Sequence, residues 1–323
     1  RYTARGWRVM AATELEFTLV DDSAAVLTPA RDPHTGRVME GAHILSVDHI
    51  DSFDAFFSDL YAGADAMGIP AQTTTCESGV GQFEMTLTHQ EAMRAADDTW
   101  LLKALIRGTA RQHGMAATFM AKPFAEDAGN GMHVHFSVLS SDGRNVFDNG
   151  GPEGSAKLRS AIAGCLMALT PSTLIFAPHA NSYARMVPGA HAPTSVCWAY
   201  ENRTAAIRVP GGPAPARRIE HRVAGGDTCS YLVFTAILGA AIMGIEDGLT
   251  PPEPMTGNAY DQDFPQLLTN WAEATEVFKT NPVLPRIFHP DLIANMVLTK
   301  EQEIALLAKI PETEQWKTYL DAV

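Results

Sequence analysis

Charged side chains inside strand-like segments are the feature that most restricts how this chain can fold. Three pairs, each two residues apart, interrupt apolar stretches: Glu14 and Glu16 in "TELEF", His133 and His135 in "HVHF", and Glu220 and Arg222 in "IEHR". Because side chains alternate between the two faces of a β-strand, both members of a pair point to the same face. Apolar neighbours such as Leu15, Val134 and Ile219 indicate that both faces are covered. The fold must therefore accommodate charged groups on covered strand faces.

Two further acids, Glu77 and Glu84, occur in "ESGVGQFE". They are seven residues apart, which is the wrong parity for one face of a regular strand. The glycines at positions 79 and 81 allow a bulge or a loop there, which can return both carboxylates to the same face. The segment is therefore predicted to add two carboxylates to the same group.

Taken singly, each charged residue has an ordinary explanation as a solvated strand face, a structural histidine or a surface arginine. Together they favour a site, because buried carboxylates without compensating charge are very costly. Mg²⁺ or Mn²⁺ would supply that compensation, since both accept hard oxygen ligands and an imidazole. Arg185, Arg203 and Arg208 lie in similar contexts and point to chemistry on phosphates. No Walker A sequence is present, so any bound ATP is not held by a P-loop.

Composition excludes some classes of partner. The 323 residues carry a formal net charge of −13, which argues against nucleic acid or an anionic membrane as the main partner. No apolar run reaches the ~18 residues that a membrane helix needs. The four cysteines are far apart and form no CxxC pair, which is typical of reduced thiols in a cytoplasmic protein.

Periodicity predicts strands and helices that do not alternate as βαβ units. Strands are predicted at 8–20, 76–89, 115–124, 132–147 and 217–225, and a hairpin-like pair of strands at 195–210. Helices are predicted at 52–69, 89–114 and from 155 to about 171, and residues 230–323 are predicted to be mainly helical around a proline-rich loop at 250–265. This order predicts an α+β fold with a largely antiparallel sheet and helices packed around it.

Seven segments in this order resemble the catalytic domain of glutamine synthetases: "ELEF", "ESGVGQFE", "ATFMAKP", "GNGMHVHFS", "NSYARMVPG", "NRTAAIRVP" and "RRIEHRVAGG". The variants "ESGVGQFE" and "IEHRVAG" are more similar to the γ-glutamylpolyamine and γ-glutamylamide synthetase branch. The resemblance implies the glutamine synthetase/guanido kinase-like catalytic fold as one domain over residues 1–323. It also implies that the family's N-terminal β-grasp domain is missing from this chain, and that the protein forms homo-oligomers of stacked rings.

The resemblance implies a role for each charged residue. One metal ion would be held by Glu14, His133 and Glu220, and the other by Glu16, Glu77 and Glu84. ATP would contact His135, Ser137, Arg208 and Arg203. L-Glutamate or its γ-phosphate would contact Arg185, Arg203, Arg222 and the backbone of Gly129. The implied catalytic residues are Arg203, Arg185 and His191.

The implied reaction has two steps: ATP phosphorylates the γ-carboxylate of L-glutamate, and an amine then displaces phosphate. His191 stands where glutamine synthetases carry a glutamate that closes the flap and accepts a proton from ammonium. Loss of that anion argues for an organic amine, a polyamine or a small monoamine, with neutral His191 as a base near pH 7 or as a plain loop residue. Ala128 replaces a common asparagine beside the glutamate. The alternatives are a true glutamine synthetase that uses ammonium, a non-catalytic relative that only binds, and a phosphotransferase of the guanidino-kinase type.

Overall fold

The computed structural model describes residues 1–188 and 192–323. Within them, ten strands form one sheet. The strands are β1 Arg8–Asp21, β2 Thr28–Pro29, β3 Ala71–Cys76, β4 Gln82–Leu87, β5 Gln90–Glu91, β6 Ala116–Thr118, β7 Met132–Leu139, β8 Trp198–Tyr200, β9 Ile207–Val209 and β10 Ile219–His221. The main order across the sheet is β3-β4-β1-β7-β10-β9-β8, while β2, β5 and β6 also pair with β1. The long strand β1 is therefore the centre on which the sheet is assembled.

The helices of the described residues flank this sheet. They are α1 Val47–Ser52, α2 Asp54–Met67, α3 Ala92–Gln112, α4 Ala156–Leu169, α5 Thr173–Phe176, α6 Ala180–Arg185, α7 Ser230–Glu246, α8 Trp271–Thr280, α9 Pro290–Leu307 and α10 Trp316–Tyr319. Ser155 begins α4 by accepting a hydrogen bond from a backbone N–H, and Gly68 ends α2 with φ at 69°. None of these helices combines the length and the apolar character that crossing a membrane requires. The predicted α+β architecture is confirmed.

Two local predictions change in the structure. The predicted strand 76–89 is interrupted: Cys76 ends β3, residues 77–81 form a loop, and β4 begins at Gln82 and pairs antiparallel with β3. The predicted hairpin at 195–210 is wrong, because β8 and β9 pair in parallel. The connection 201–206 contains no glycine of the kind that tight two-residue hairpin turns use. It returns the chain to the start of β8, so that β9 runs in the same direction as β8.

The two faces of the sheet differ in what covers them. The odd-numbered side chains of β1 enter the apolar core against the helices, where Phe17 lies 6.0 Å from Phe83 and 6.5 Å from Phe56 of α2 between ring centroids. Leu15 and Phe17 are fully buried there. The even-numbered side chains, Glu14 and Glu16, point to the opposite face. The core thereby fixes which face carries the charged residues.

Candidate active site

The charged side chains form a row across five neighbouring strands. The residues opposed in register are Glu16 and Glu84 (β1 and β4), Glu14 and His133 (β1 and β7), His135 and Glu220 (β7 and β10), and Glu220 and Arg208 (β10 and β9). Directly opposed residues in a sheet share a face, so the row lies on the face away from the aromatic core. The prediction that Glu14 and Glu16 share one face, and that His133 and His135 share one face, is thereby confirmed. We call these residues the charged row.

Glu14 is the centre of the charged row. Nδ1 of His133 donates a hydrogen bond to Oε2 of Glu14 at 2.9 Å, and Nε2 of His135 donates to Oε1 at 2.9 Å. Burial by itself would raise the pKa of Glu14, but the two histidines outweigh it and hold the pKa well below its usual range. Glu14 is therefore an anion at neutral pH, with both carboxylate oxygens in use.

Two groups of three side chains bring their ligand atoms within 4.8 Å of one another: Glu14, Glu84 and His133, and Glu14, His135 and Glu220. The predicted metal sets were grouped differently, with Glu84 beside Glu16 and Glu77, and with His133 beside Glu14 and Glu220. Nδ1 of His133 does lie 3.9 Å from Oε1 of Glu220. The assignment of ligands to individual ions stays a prediction, and the predicted ligands Glu16 and Glu77 belong to neither of these two groups.

Excess negative charge accumulates at the β4 end of the charged row. Burial, together with the carboxylates of Glu14, Glu16 and Glu77, raises the pKa of Glu84 to about 9. Burial and the charge of Glu16 likewise raise the pKa of Glu77, in the loop after β3, to about 7. Arg203 partly opposes both shifts. An arrangement of hard oxygen donors that repel one another fits a divalent cation such as Mg²⁺ or Mn²⁺.

Positive charge dominates the other end of the charged row. Glu220 has no exposed surface and accepts a hydrogen bond from Nη1 of Arg208 at 2.6 Å and another from Nη1 of Arg222. Burial would raise the pKa of Glu220, but Arg222 and the histidines of β7 lower it below the usual range. Direct contact with two arginines therefore compensates Glu220, which was predicted as a metal ligand, while the arginines were predicted to contact phosphate and glutamate.

Arg185 and Gly129 lie at the floor of the site. Arg185 ends α6, is 3% exposed, and donates from Nη1 to the carbonyl of Val223 at 2.9 Å. A side chain at Gly131 would come within 2.7 Å of Nη2 of Arg185 and 3.3 Å of Oε2 of Glu16, so this guanidinium lies beside Glu16. Gly129 is buried, and a Cβ there would approach a backbone carbonyl oxygen to 2.2 Å. Only glycine fits that position.

A cavity of about 530 Å³ opens beside the charged row. Its lining includes Glu14, His135 and Ser137 from the sheet and Pro213 from the loop before β10. Arg203 is exposed in the connection between β8 and β9. The predicted nucleotide residues on β7 therefore face one cavity that continues from the acidic residues.

Arg218 also lines this cavity and was missed by the sequence analysis. Its Nε donates to Nδ1 of His135 at 3.2 Å, so the ring proton of His135 lies on Nε2, towards Glu14. The signal was present, since position 218 has the same parity as Glu220 and Arg222 in "RRIEHR". Arg218 thus orients one of the two histidines.

Gln82 and Asp127 were also missed, and both tie loops together under the site. Gln82 accepts from the N–H of Gly79 at 2.7 Å and donates to the carbonyl of Gly129 at 2.9 Å. Asp127 accepts from the N–H of Val80 at 2.6 Å. These bonds hold the loop that carries Glu77 against the loop before β7. No periodic pattern in the sequence marks such contacts, because they join distant loops.

Two residues singled out by the sequence remain, Ala128 and His191. Ala128 is half-buried in the loop before β7. His191 lies outside the described residues, and its predicted role as a base or selectivity residue stays a prediction.

Comparison with known proteins places this geometry in context. Residues 1–319 match the family model described as glutamine synthetase, catalytic domain. The chain is 38% identical over 263 residues to the gamma-glutamylputrescine synthetase of Escherichia coli strain K12, covering 80% of this chain and 56% of the relative. It is 34% identical over 303 residues to the gamma-glutamylethanolamide synthetase of Streptomyces coelicolor, covering 91% of this chain and 63% of the relative. A solved structure of GmaS in complex with ADP superposes with a TM-score of 0.86 at 26% identity, covering 99% of this chain and 75% of that one.

Proposed function

The chain belongs to the family of the glutamine synthetase catalytic domain, and on that premise we propose that it catalyses ATP-dependent ligation of L-glutamate to an organic amine. The observation that carries the proposal is the charged row, in which carboxylates, imidazoles and Arg208 share one sheet face. The chain spans 56% and 63% of the length of the two curated relatives described above. The activity is therefore proposed for the protein of which these residues are the catalytic part.

The donor set supports a divalent cation at the acidic end of the row. Glu14, Glu16, Glu77, Glu84, His133 and Glu220 are the side chains that would hold Mg²⁺ or Mn²⁺. The raised pKa values of Glu77 and Glu84 show that negative charge there is under-compensated by the protein alone. When bound, the metal would neutralise phosphate oxygens and so favour attack at phosphorus.

The arginines suit the first proposed step. The γ-carboxylate oxygen of glutamate attacks the γ-phosphorus of ATP, the bond to the bridging oxygen breaks, and ADP leaves. Arg203 and Arg208 would stabilise charge on the transferring phosphoryl group, and Arg185 and Arg222 would hold the carboxylates of glutamate, as the family resemblance implies. Because Arg208 and Arg222 are already fixed by Glu220, these two donors are positioned in advance. The product of this step is γ-glutamyl phosphate.

In the second proposed step an amine nitrogen attacks the γ-carbonyl carbon. Phosphate leaves with the bonding electrons, and the nitrogen loses a proton to give the amide. His191 is the base that the sequence suggests for this proton, since a neutral imidazole accepts one near pH 7. The relatives described above are named for putrescine and ethanolamine, which supports a polyamine or small monoamine as acceptor.

The setting of the enzyme is also a proposal. Residues 1–188 and 192–323 share one sheet, which supports a single catalytic domain. Cys76, Cys165 and Cys197 are buried free thiols, which supports a reducing, cytoplasmic environment. A homo-oligomer of stacked rings follows from the family resemblance. Light scattering coupled to size-exclusion chromatography tests it, and a monomer at working concentration would contradict it.

Phosphate release from ATP tests the activity. The assay uses the polypeptide as encoded, with any sequence that flanks residues 1–323, Mg²⁺ or Mn²⁺ and L-glutamate. Ammonium, methylamine, ethanolamine, putrescine and spermidine are compared as acceptors. Release that requires both glutamate and one organic amine is the expected result. Release with ammonium alone would establish a glutamine synthetase instead, and nucleotide binding without release would contradict the ligase proposal.

A further inference from the structure

A second cavity, of about 270 Å³, lies away from the charged row among the helices. It is lined by α3, α9, the segment before α6, the start of α7 and residues 322–323, and we call it the rear cavity. Nη1 of Arg107 donates there to the backbone carbonyl of Val323 at 2.7 Å. Three cationic side chains line it: Lys103 and Arg107 from α3, and Lys300 from α9. Among the described residues of its lining, Asp227 is the one acidic side chain, and Glu303, which is outside the lining, pairs with Lys300 at 2.7 Å. The rear cavity therefore carries net positive charge.

The two lysines of the rear cavity are buried but not saturated. Lys103 and Lys300 are each 6% exposed. Within the part of the chain that the structure describes, Nζ of Lys103 donates to two backbone carbonyls, of Gly226 and Thr228, and Nζ of Lys300 donates to Glu303 at 2.7 Å. An ammonium group has three N–H donors, so both lysines keep at least one for a ligand. Asp227 and Glu303 accompany these two ammonium groups, and Arg107 leaves one positive charge in excess around the rear cavity.

His179 gives an independent indication of the same field. Its Nδ1 atom is buried without a hydrogen-bond partner among the described residues. Burial and the charges of Lys300 and Lys103 lower the pKa of His179 to about 3, so the ring is neutral and adds a polar contact without charge. Trp100 and Cys229 are exposed at the rim, which leaves the rear cavity open to solvent.

The rear cavity is joined to the charged row through Asp227. Asp227 is 4% exposed, and its Oδ2 accepts from Oγ of Ser182 at 2.5 Å. Ser182 lies one turn before Arg185 in α6, and Arg185 lies beside Glu16. Burial raises the pKa of Asp227, and the charges of Lys103 on the cavity side and Arg185 on the site side both oppose this shift. One buried carboxylate thus connects the two sites.

We propose that the rear cavity binds a small multivalent oxyanion such as inorganic phosphate, and that its occupancy acts on Arg185 through Asp227. Such an anion requires cations with spare donors, an excess of positive charge and access to solvent, and the rear cavity offers all three. That phosphate is also a product of the enzyme rests on the proposed function. The binding site itself does not, because it is defined by residues outside the charged row.

Calorimetric titration of the intact protein with inorganic phosphate, at constant ionic strength, tests the site. Lys300→Met and Arg107→Gln should each weaken binding about tenfold, the usual effect of losing one charged hydrogen bond. Lys279→Met is the matched control. Lys279 lies on α8 outside the rear cavity, is half-exposed, and pairs with Glu301 at 3.2 Å. Two variants on different helices guard against loss by misfolding, which circular dichroism detects.

Each outcome decides the matter. Phosphate affinity that is lost in both cavity variants and kept in the control supports the site. Affinity unchanged in both, or weakened equally by the control, overturns it. Titration with glutarate in place of phosphate shows whether carboxylates also bind. A glutarate affinity that falls in the same two variants supports one shared oxyanion site. These readouts need no turnover, so the site can stand even if the ligase proposal fails.

The connection to Arg185 has its own test. Phosphate should change the affinity of the native protein for Mn²⁺ by a measurable factor. In Lys300→Met this factor should differ, because phosphate then acts only directly at the charged row. In Asp227→Asn the factor by which phosphate changes the Mn²⁺ affinity should equal the factor measured in Lys300→Met. An identical factor in the native protein and Lys300→Met, with phosphate bound to the native rear cavity, would overturn the coupling.

Discussion

Binding of a divalent cation should release protons from the acidic end of the charged row. Glu84 has a pKa of about 9 and Glu77 a pKa of about 7 in the metal-free protein, whereas metal ligation requires both carboxylates to be ionised. At pH 7, Glu84 holds about one proton and Glu77 about half a proton, so Mg²⁺ binding should release about 1.5 protons. At pH 9, Glu84 holds about half a proton and Glu77 almost none, so Mg²⁺ binding should release about 0.5 proton.

The affinity for Mg²⁺ should follow from these numbers. Integrating the proton release predicts binding that is about 100-fold tighter at pH 9 than at pH 7. Calorimetry in buffers of different ionisation enthalpy counts the protons directly. In Glu84→Gln the release at pH 7 should fall to about 0.5. Release below about 0.5 proton in the native protein, together with an affinity that does not change with pH, would refute the reasoning.

The same carboxylates predict how stability depends on pH without metal. Their pKa values in the folded protein lie above the unfolded value of 4.5, so the folded state binds more protons than the unfolded state. Their contribution to stability is complete below about pH 4.5 and is lost as pH rises through about 7 and then 9. Saturating Mg²⁺ should remove this decline. A metal-free protein whose Glu84→Gln variant shows the same decline would contradict the assignment.

Three further substitutions have distinct expected effects. Glu220→Gln leaves the half-buried Arg208 and the buried Arg222 without their counter-charge, and it should lower the free energy of unfolding by about 3 kcal/mol, measured by urea denaturation. A change under about 1 kcal/mol would contradict this. Gly129→Ala forces a Cβ to within 2.2 Å of a carbonyl oxygen and should reduce turnover about 100-fold while the protein stays folded, and near-native turnover would contradict it. His191→Glu should raise the use of ammonium relative to larger amines, and an unchanged preference would show that His191 does not select the amine.

Sequence alternation was sufficient to place the charged pairs on one sheet face. The reason is that the period of two is a local property, and the apolar core fixes which face Leu15 and Phe17 take. Which acid meets which histidine was not predictable in the same way. That depends on strand order and register, which bring Glu84 beside Glu14 and His133 from positions far apart in the chain.

Other features lay beyond local pattern. Residues 195–210 alternate like a hairpin, but the direction of β9 is set by its pairing with β10 and not by its own sequence. Lys103 and Asp227 are ordinary charged residues in the sequence, and only tertiary packing shows that both are buried around a second cavity. Arg218 was within reach of the same parity rule that identified Glu220.

Transfer of an isotope tests the central claim most directly. L-Glutamate labelled with ¹⁸O in its γ-carboxylate is incubated with the protein, ATP, Mg²⁺ and the acceptor amine that supports phosphate release, and the inorganic phosphate is analysed by mass spectrometry. Ligation through γ-glutamyl phosphate moves one ¹⁸O from each reacting carboxylate to phosphate, because the attacking oxygen leaves with phosphorus. We predict one labelled oxygen per phosphate and per amide formed. Unlabelled phosphate, or phosphate that remains attached to the acceptor as in a kinase, would contradict the account.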